Sequence, residues 1–316
     1  MHQTFYSHGK LLLTAEYVVL DGALALALPT KFGQSLSIKS IDEFKLKWKS
    51  FDEKGAVWFE ENYDFSEIVF PFVFEYSTNS LEENRLSPEA KTLLSILHHA
   101  HKINPLFLSA YLDTEQGIEV TTQLDFPKNW GLGTSSTLIN NIANWATIDA
   151  YELLAKTFGG SGYDIACAQY QKAITYQLLD KRIVNEVHFF PDFKRDLYFV
   201  YLNKKQNSRD GISQYKANTS TNYQAISEIT DITNQMLVCK SLEAFETLIE
   251  THEQIISKLI KQQPIKAALF NDFDGSIKSL GAWGGDFILV TSKNNPTAYF
   301  KNKGLDVVIP FTDMVL

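Results

Sequence analysis

Three glycine-rich breaks, at residues 131–133, 159–162 and 281–285, constrain this chain more than any other feature. Glycine is otherwise modest, with 16 in 316 residues. Glycine permits positive φ and lets a ligand come close to the backbone. The first break, Pro127-Lys128-Asn129-Trp130-Gly131-Leu132-Gly133-Thr134-Ser135-Ser136, stands between a strand pattern and a helix pattern. A helix start offers free N–H groups and the positive end of the dipole, so this segment suits phosphate. It is not a Walker loop, because no Gly-Lys-Ser/Thr follows, and the third glycine of a dinucleotide fingerprint is Ser136 here. The competing reading is a tight turn with a Ser/Thr helix cap. In the second break, Gly160-Ser161-Gly162-Tyr163-Asp164, the aspartate reads either as a helix cap or as a carboxylate that takes a proton from a reacting hydroxyl. The third, Gly281-Ala282-Trp283-Gly284-Gly285-Asp286, reads as a turn into a buried strand unless a ligand packs on it.

The pattern around these breaks is mixed. Residues 10–14, 23–28 and 34–41 read as strands, with Asp21-Gly22 as turn chemistry. Residues 44–49 alternate strictly, placing Phe44, Leu46 and Trp48 on a core and three lysines in water; 56–60 is the expected partner. Ser87-Pro88-Glu89 opens a helix whose end carries His98, His99 and His101, placed there by the dipole rather than by a metal. Residues 108–114 and 118–124 read as a hairpin, and Leu138, Ile142, Ala146, Ala150 and Leu153 as one long helix. A further helix starts at Ile165. Strands follow at 186–190 and 197–203, helices at 223–236 and 241–259, and strands at 287–291 and 305–310. This is an α+β pattern, with a boundary expected near residue 185 that separates 1–185 from 186–316.

Composition removes several function classes. The net charge is −8, with no basic arm, so neither nucleic acid nor a membrane surface is an expected partner. Cys167 and Cys239 are too few for a disulfide framework or a cysteine zinc site. The first residues lack a basic, then apolar, leader pattern, and no apolar run is long enough to span a bilayer. A cytoplasmic protein is expected.

The three breaks, in this order, with Gly9-Lys10-Leu11-Leu12-Leu13-Thr14-Ala15-Glu16-Tyr17 in front of them, resemble the motifs of the GHMP kinases. The Glu16-Tyr17 pair, the Gly-Ser-Gly-Tyr-Asp loop and Gly284-Gly285-Asp286 look most like the mevalonate and phosphomevalonate kinase branch. The resemblance implies a two-domain fold, with an N-terminal domain like ribosomal protein S5 domain 2 and a ferredoxin-like C-terminal domain. It implies ATP and Mg²⁺ as cofactors. Gly131, Leu132, Gly133, Thr134, Ser135 and Ser136 then match the phosphate loop, and Gly281, Ala282, Gly284 and Gly285 the closing turn. Asp164 matches the catalytic base, and Lys10 the lysine that holds the transferring phosphoryl. Ser135 or Ser136, and Glu152, are the expected metal-side groups. Glu16, Tyr17, Lys204, Ser208 and Arg209 are the expected acceptor contacts; Lys204, Lys205 and Arg209 also read as a solvated loop.

The sequence departs from the family pattern in places. His8 replaces Pro, Thr134 replaces Ser, Trp283 replaces Gly, and the stretch before Asp164 is short. The expected activity is phosphoryl transfer to a small anionic acceptor, mevalonate or phosphomevalonate. The alternatives are a sugar or homoserine kinase, a diphosphomevalonate decarboxylase and a catalytically silent ATP-binding protein. A homodimer is among the expected assemblies.

Overall fold

The computed structural model describes residues 2–70, 86–206, 208–218 and 222–316, without the side chains of 208–210, 214 and 218. The protein is a mixed α+β chain that divides into two compact units. The first comprises Met1–Ser7, Phe32–Lys128 and Gly133–Gln169, and the second His8–Lys31, Asn129–Leu132 and Tyr170–Leu316. The units therefore interleave along the sequence, whereas the expected boundary near 185 is a single cut. Strands β1 (His2–Leu12) and β2 (Ala25–Ile41) give residues to both.

In the first unit, β3 (Leu46–Phe51) pairs antiparallel with β4 (Val57–Tyr63) and parallel with β5 (Gly117–Leu124). Strand β5 also pairs antiparallel with the Gln34–Ile41 half of β2. The alternation in β3 buries Leu46 and Trp48, while Lys47 and Lys49 pair with Glu43 and Glu60 at the surface. Phe44 is a correction: it precedes the strand and is 42% exposed, because the turn at 42–45 carries it off the buried face. The core forms where Leu36, Ile38, Trp48 and Val120 meet Leu93 and Leu97 of the Pro88–Ile103 helix and Ile139 and Ile142 of the Thr134–Ala146 helix. Ser87 caps the first of these, accepting the Ala90 N–H at 3.1 Å.

In the second unit, the Ala25–Ala27 part of β2 pairs with β6 (Ile174–Leu178), which forms a hairpin with β7 (Arg182–Glu186). A separate antiparallel sheet runs β11–β8–β10–β9, built from β8 (Leu197–Tyr201), β9 (Ile277–Ser279), β10 (Phe287–Thr291) and β11 (Val308–Pro310). Every residue of β10 is buried. The Tyr223–Val238 and Leu242–Ile260 helices begin at side-chain caps from Asn222 and Ser241.

Three expectations are corrected. Residues 108–114 hold a short helix, Ser109–Asp113, not a strand. The long helix is two, Thr134–Ala146 and Ala150–Thr157, because Thr147 turns left-handed at φ 55° and Asp149 caps a new start through the Tyr151 N–H. The strand expected at 186–190 ends at Glu186. Among the described residues, no helix is long and apolar enough to cross a membrane.

Candidate functional site

In the second unit, the first glycine break is strapped along the end of β1. The Lys10 N–H donates to Leu132 O and Lys10 Nζ to Gly131 O, each at 2.8 Å. Trp130 meets Phe287 edge-on at 5.3 Å, and the Tyr201 hydroxyl donates to Asn129 O at 3.0 Å. A small cavity opens here, lined by Lys10, Trp130, Gly131, Leu280, Gly281 and Asp286 among others. The lysine of the N-terminal motif, the first glycine break and the third are thus brought together.

Gly131 is required here on two counts. Its φ is +70°, and a Cβ on it would stand 2.3 Å from the Asp286 carboxyl carbon. That aspartate is the residue that sequence reasoning left without a role. Its backbone is fixed on both sides: the Asp286 N–H donates to Lys204 O at 2.7 Å, and its carbonyl accepts the Leu202 N–H at 2.8 Å. Its Oδ1 accepts the Gln206 N–H at 3.1 Å. Burial raises its pKa above the ordinary value, opposed by the Gln206 bond and by the charges of Lys10 and Lys205. Its φ of 53° is a left-handed setting that Asp tolerates better than most residues, and it was the available sequence signal: a charged residue directly after two glycines.

The third break carries positive φ at Gly281 and Gly284, and also at Trp283 (φ 34°). Trp283 is buried, and its indole N–H has no hydrogen-bond partner among the described residues. Gly285 has its own constraint, since a Cβ there would meet Lys204 O at 2.6 Å.

In the first unit, the loop runs on into the Thr134–Ala146 helix. Gly133 is its left-handed cap residue (φ 98°), and no side chain caps it. The first N–H groups of such a helix have no intrahelical acceptor and carry the positive dipole end. Ser135 is exposed, whereas Ser136 is buried and donates back to Gly133 O at 2.9 Å. Of these two hydroxyls, Ser135 is the one presented to solvent. Buried polar bonds fix the body of the helix. Ser7 donates to Asn141 Oδ1 at 2.7 Å, Asn140 Nδ2 to Ser7 at 2.9 Å, Asn141 Nδ2 to Gln34 O at 2.9 Å, and Thr137 to Gln34 Oε1 at 2.8 Å.

Asp164 lies in the first turn of the Tyr163–Gln169 helix, half-buried, after Gly159, Gly160 and Gly162, all at positive φ. The other end of that helix reaches the same polar network, with Gln169 Nε2 donating to Asn140 Oδ1 at 3.1 Å. Glu152 is exposed, on the first turn of the Ala150–Thr157 helix.

The expected acceptor residues differ in their settings. Glu16 is fully buried, with its Oε1 2.5 Å from Lys278 Nζ. Glu253 Oε1 lies 3.8 Å from the same ammonium, and its Oε2 accepts from Ser279. His252 Nε2 accepts the Ala15 N–H at 3.0 Å, which leaves the ring proton on Nδ1. Burial, only partly opposed by Lys278, pushes the Glu16 carboxyl up to about 7 and that of Glu253 up to about 8. Burial and the nearby ammonium hold His252 well below its ordinary range. Tyr17 is buried and stacks on Tyr215 at 5.5 Å. Lys204 and Lys205 are exposed. Ser208 and Arg209 open the Ser208–Asn218 helix, and their side chains lie outside the described residues. Among the described residues, no group of three or more His, Cys, Asp or Glu could hold a metal ion.

No protein-family model matches the chain, and no curated protein sequence matches it. Solved structures do. Mevalonate kinase from Methanococcus jannaschii aligns with a TM-score of 0.69 at 16% identity, over 98% of this chain and 97% of that one. The chain has the GHMP kinase fold. Phosphomevalonate kinase from Streptococcus pneumoniae, in complex with phosphomevalonate and AMPPNP, aligns with a TM-score of 0.65 at 15% identity over 95% of each chain. Galactokinase from Lactococcus lactis, complexed with galactose, aligns with a TM-score of 0.62 at 13% identity, over 95% of this chain and 88% of that one. These GHMP-fold relatives act on unlike acceptors, so the fold by itself names no substrate.

Proposed function

We propose that this chain is an ATP-dependent phosphotransferase of GHMP type that acts on a small anionic acceptor, mevalonate or phosphomevalonate. The observation that carries the reading is the Lys10 ammonium on the Gly131 carbonyl, in a cavity walled by the first and third glycine breaks. Three segments far apart in sequence converge there, and an ammonium beside two glycine turns is a setting that suits phosphate. Exposed Lys204 and Lys205 support an anionic acceptor over a neutral sugar.

In this reading, the Gly131–Ser136 backbone and the uncapped helix start hold the nucleotide phosphates. Lys10 neutralises charge on the transferring phosphoryl, and the 281–285 turn closes the cavity. Half-buried Asp164 takes the proton of the acceptor hydroxyl. Oxygen donors such as the exposed Ser135 hydroxyl suit Mg²⁺. When bound, Mg²⁺ would supply positive charge that offsets the charge of the phosphates.

One observation favours a second reading, a silent nucleotide-binding protein: a carboxylate, Asp286, stands against the phosphate loop at Gly131. An ADP-release screen over mevalonate, phosphomevalonate, homoserine and galactose separates the two. The kinase reading expects ADP release with one anionic acceptor, reduced about 10²–10⁴-fold by Asp164→Asn while ATP binding survives. ATP binding with no turnover of any acceptor decides for the silent protein. Full turnover in Asp164→Asn removes the assigned base.

A further inference from the structure

A carboxylate beside a phosphate loop is unfavourable unless something positive joins the two. The aspartate is also held firmly. Both of its backbone groups are bonded to the 202–204 segment, and its Oδ1 to the Gln206 N–H. A neutral Asn would satisfy the Gln206 bond equally well, so that bond gives no reason for a charge. The opposing glycine has no side chain, and the carboxylate fills the space that a Cβ would take. An oxygen anion at the cavity wall is therefore fixed beside the Gly131 backbone, with Lys10 on the same cavity.

Magnesium in nucleotide sites takes oxygen ligands, usually one or two carboxylates plus the substrate's phosphates. We propose that Asp286 is the carboxylate that holds the divalent cation accompanying a nucleotide at the glycine loop. The inference rests on the nucleotide reading above. It replaces Glu152 as the metal-side carboxylate, and it turns the apparent obstacle of the silent reading into a ligand. The cation would neutralise the aspartate and the phosphate together, leaving Lys10 to the transferring phosphoryl.

The test is calorimetric titration of ADP, without acceptor, into the full chain in Mg²⁺ and in EDTA. The wild type, Asp286→Asn and Glu152→Gln are compared. Asparagine also tolerates the left-handed setting, so Asp286→Asn should fold, and its thermal midpoint provides the check. In the wild type and in Glu152→Gln, Mg²⁺ should tighten ADP by about tenfold or more, near 1.4 kcal/mol. In Asp286→Asn that gain should fall below about twofold, with affinity in EDTA unchanged or improved because a repulsion is gone. A second readout is the electron paramagnetic resonance of Mn²⁺ with ADP, whose protein-bound signal should weaken in Asp286→Asn alone. Asp286→Asn keeping the full Mg²⁺ gain overturns the inference. So does ADP binding to the wild type with no Mg²⁺ effect, which leaves the nucleotide reading standing. ADP binding to the wild type in neither condition removes the nucleotide reading, and the inference falls with it.

Discussion

Substituting alanine at Gly131 probes how closely the glycine loop is fitted. An alanine Cβ would lie 2.3 Å from the Asp286 carboxyl carbon and 2.4 Å from Oδ2. Ordinary van der Waals contact begins near 3.4 Å, so one side must move by about an ångström. Asp286 has little freedom to do so, since both its N–H and its carbonyl are bonded to the 202–204 segment. The left-handed φ costs an alanine about 1–2 kcal/mol. Overpacking adds about 1–3 kcal/mol. Gly131→Ala should therefore cost roughly 2–5 kcal/mol by denaturant titration. The double variant Gly131→Ala/Asp286→Gly separates the two contributions. Removing the carboxylate should return the overpacking part, giving a coupling of about 1–3 kcal/mol in the double-mutant cycle. A single-variant cost below about 0.5 kcal/mol, or a coupling indistinguishable from zero, would show that the loop and the aspartate are not in contact as described.

The buried cluster yields two more predictions. Lys278→Met removes the ammonium that pairs with both Glu16 and Glu253 and should cost about 3–5 kcal/mol at pH 8, with Glu16→Gln in the same chain recovering part of it. A cost under about 1 kcal/mol in urea titration would mean that the carboxylates are not buried in charged form. The second concerns pH. Glu16 and Glu253 are held at about 7 and about 8 in the folded chain, against an unfolded value of 4.5, so the native state binds more protons between those limits. Their contribution to stability is complete below pH 4.5 and is lost as the pH rises through 7 and 8. The urea midpoint should fall over that window, and Glu253→Gln should flatten the fall; an unchanged slope in the variant would rule out this origin.

Local chemistry was legible in the sequence, while long-range partnerships were not. The Ser87 cap, the alternation of β3 and the two long helices of the second unit follow from spacing that a short window contains. Residues 23–28 and 34–41 read as separate strands, yet β2 runs unbroken from Ala25 to Ile41, through Pro29. It pairs with β6 at 25–27 and with β5 from 34 onward, so the proline falls in the gap between the two ladders. In the site, the glycine breaks could be read because each carries its own backbone signature, whereas Lys10 was singled out only through the family resemblance. The environment of Glu16 could not be read, because the ammonium that neutralises it comes from position 278. Asp286 was only partly legible: its place after two glycines could be seen, but its contact with Gly131 could not.

The bonds of Ser7, Asn140, Asn141 and Gln34 have a further consequence. Apolar packing resists separation of a helix from its sheet but tolerates small rolls about its axis, since dispersion has no direction. Hydrogen bonds are directional, and two adjacent asparagines bonded to two different strands act like dowels in a joint. They fix the azimuth of the Thr134–Ala146 helix, so the N–H groups at its start are aimed even with nothing bound. The oily part of this core is free to drift in sequence, while the aim of the helix depends on a few amide side chains.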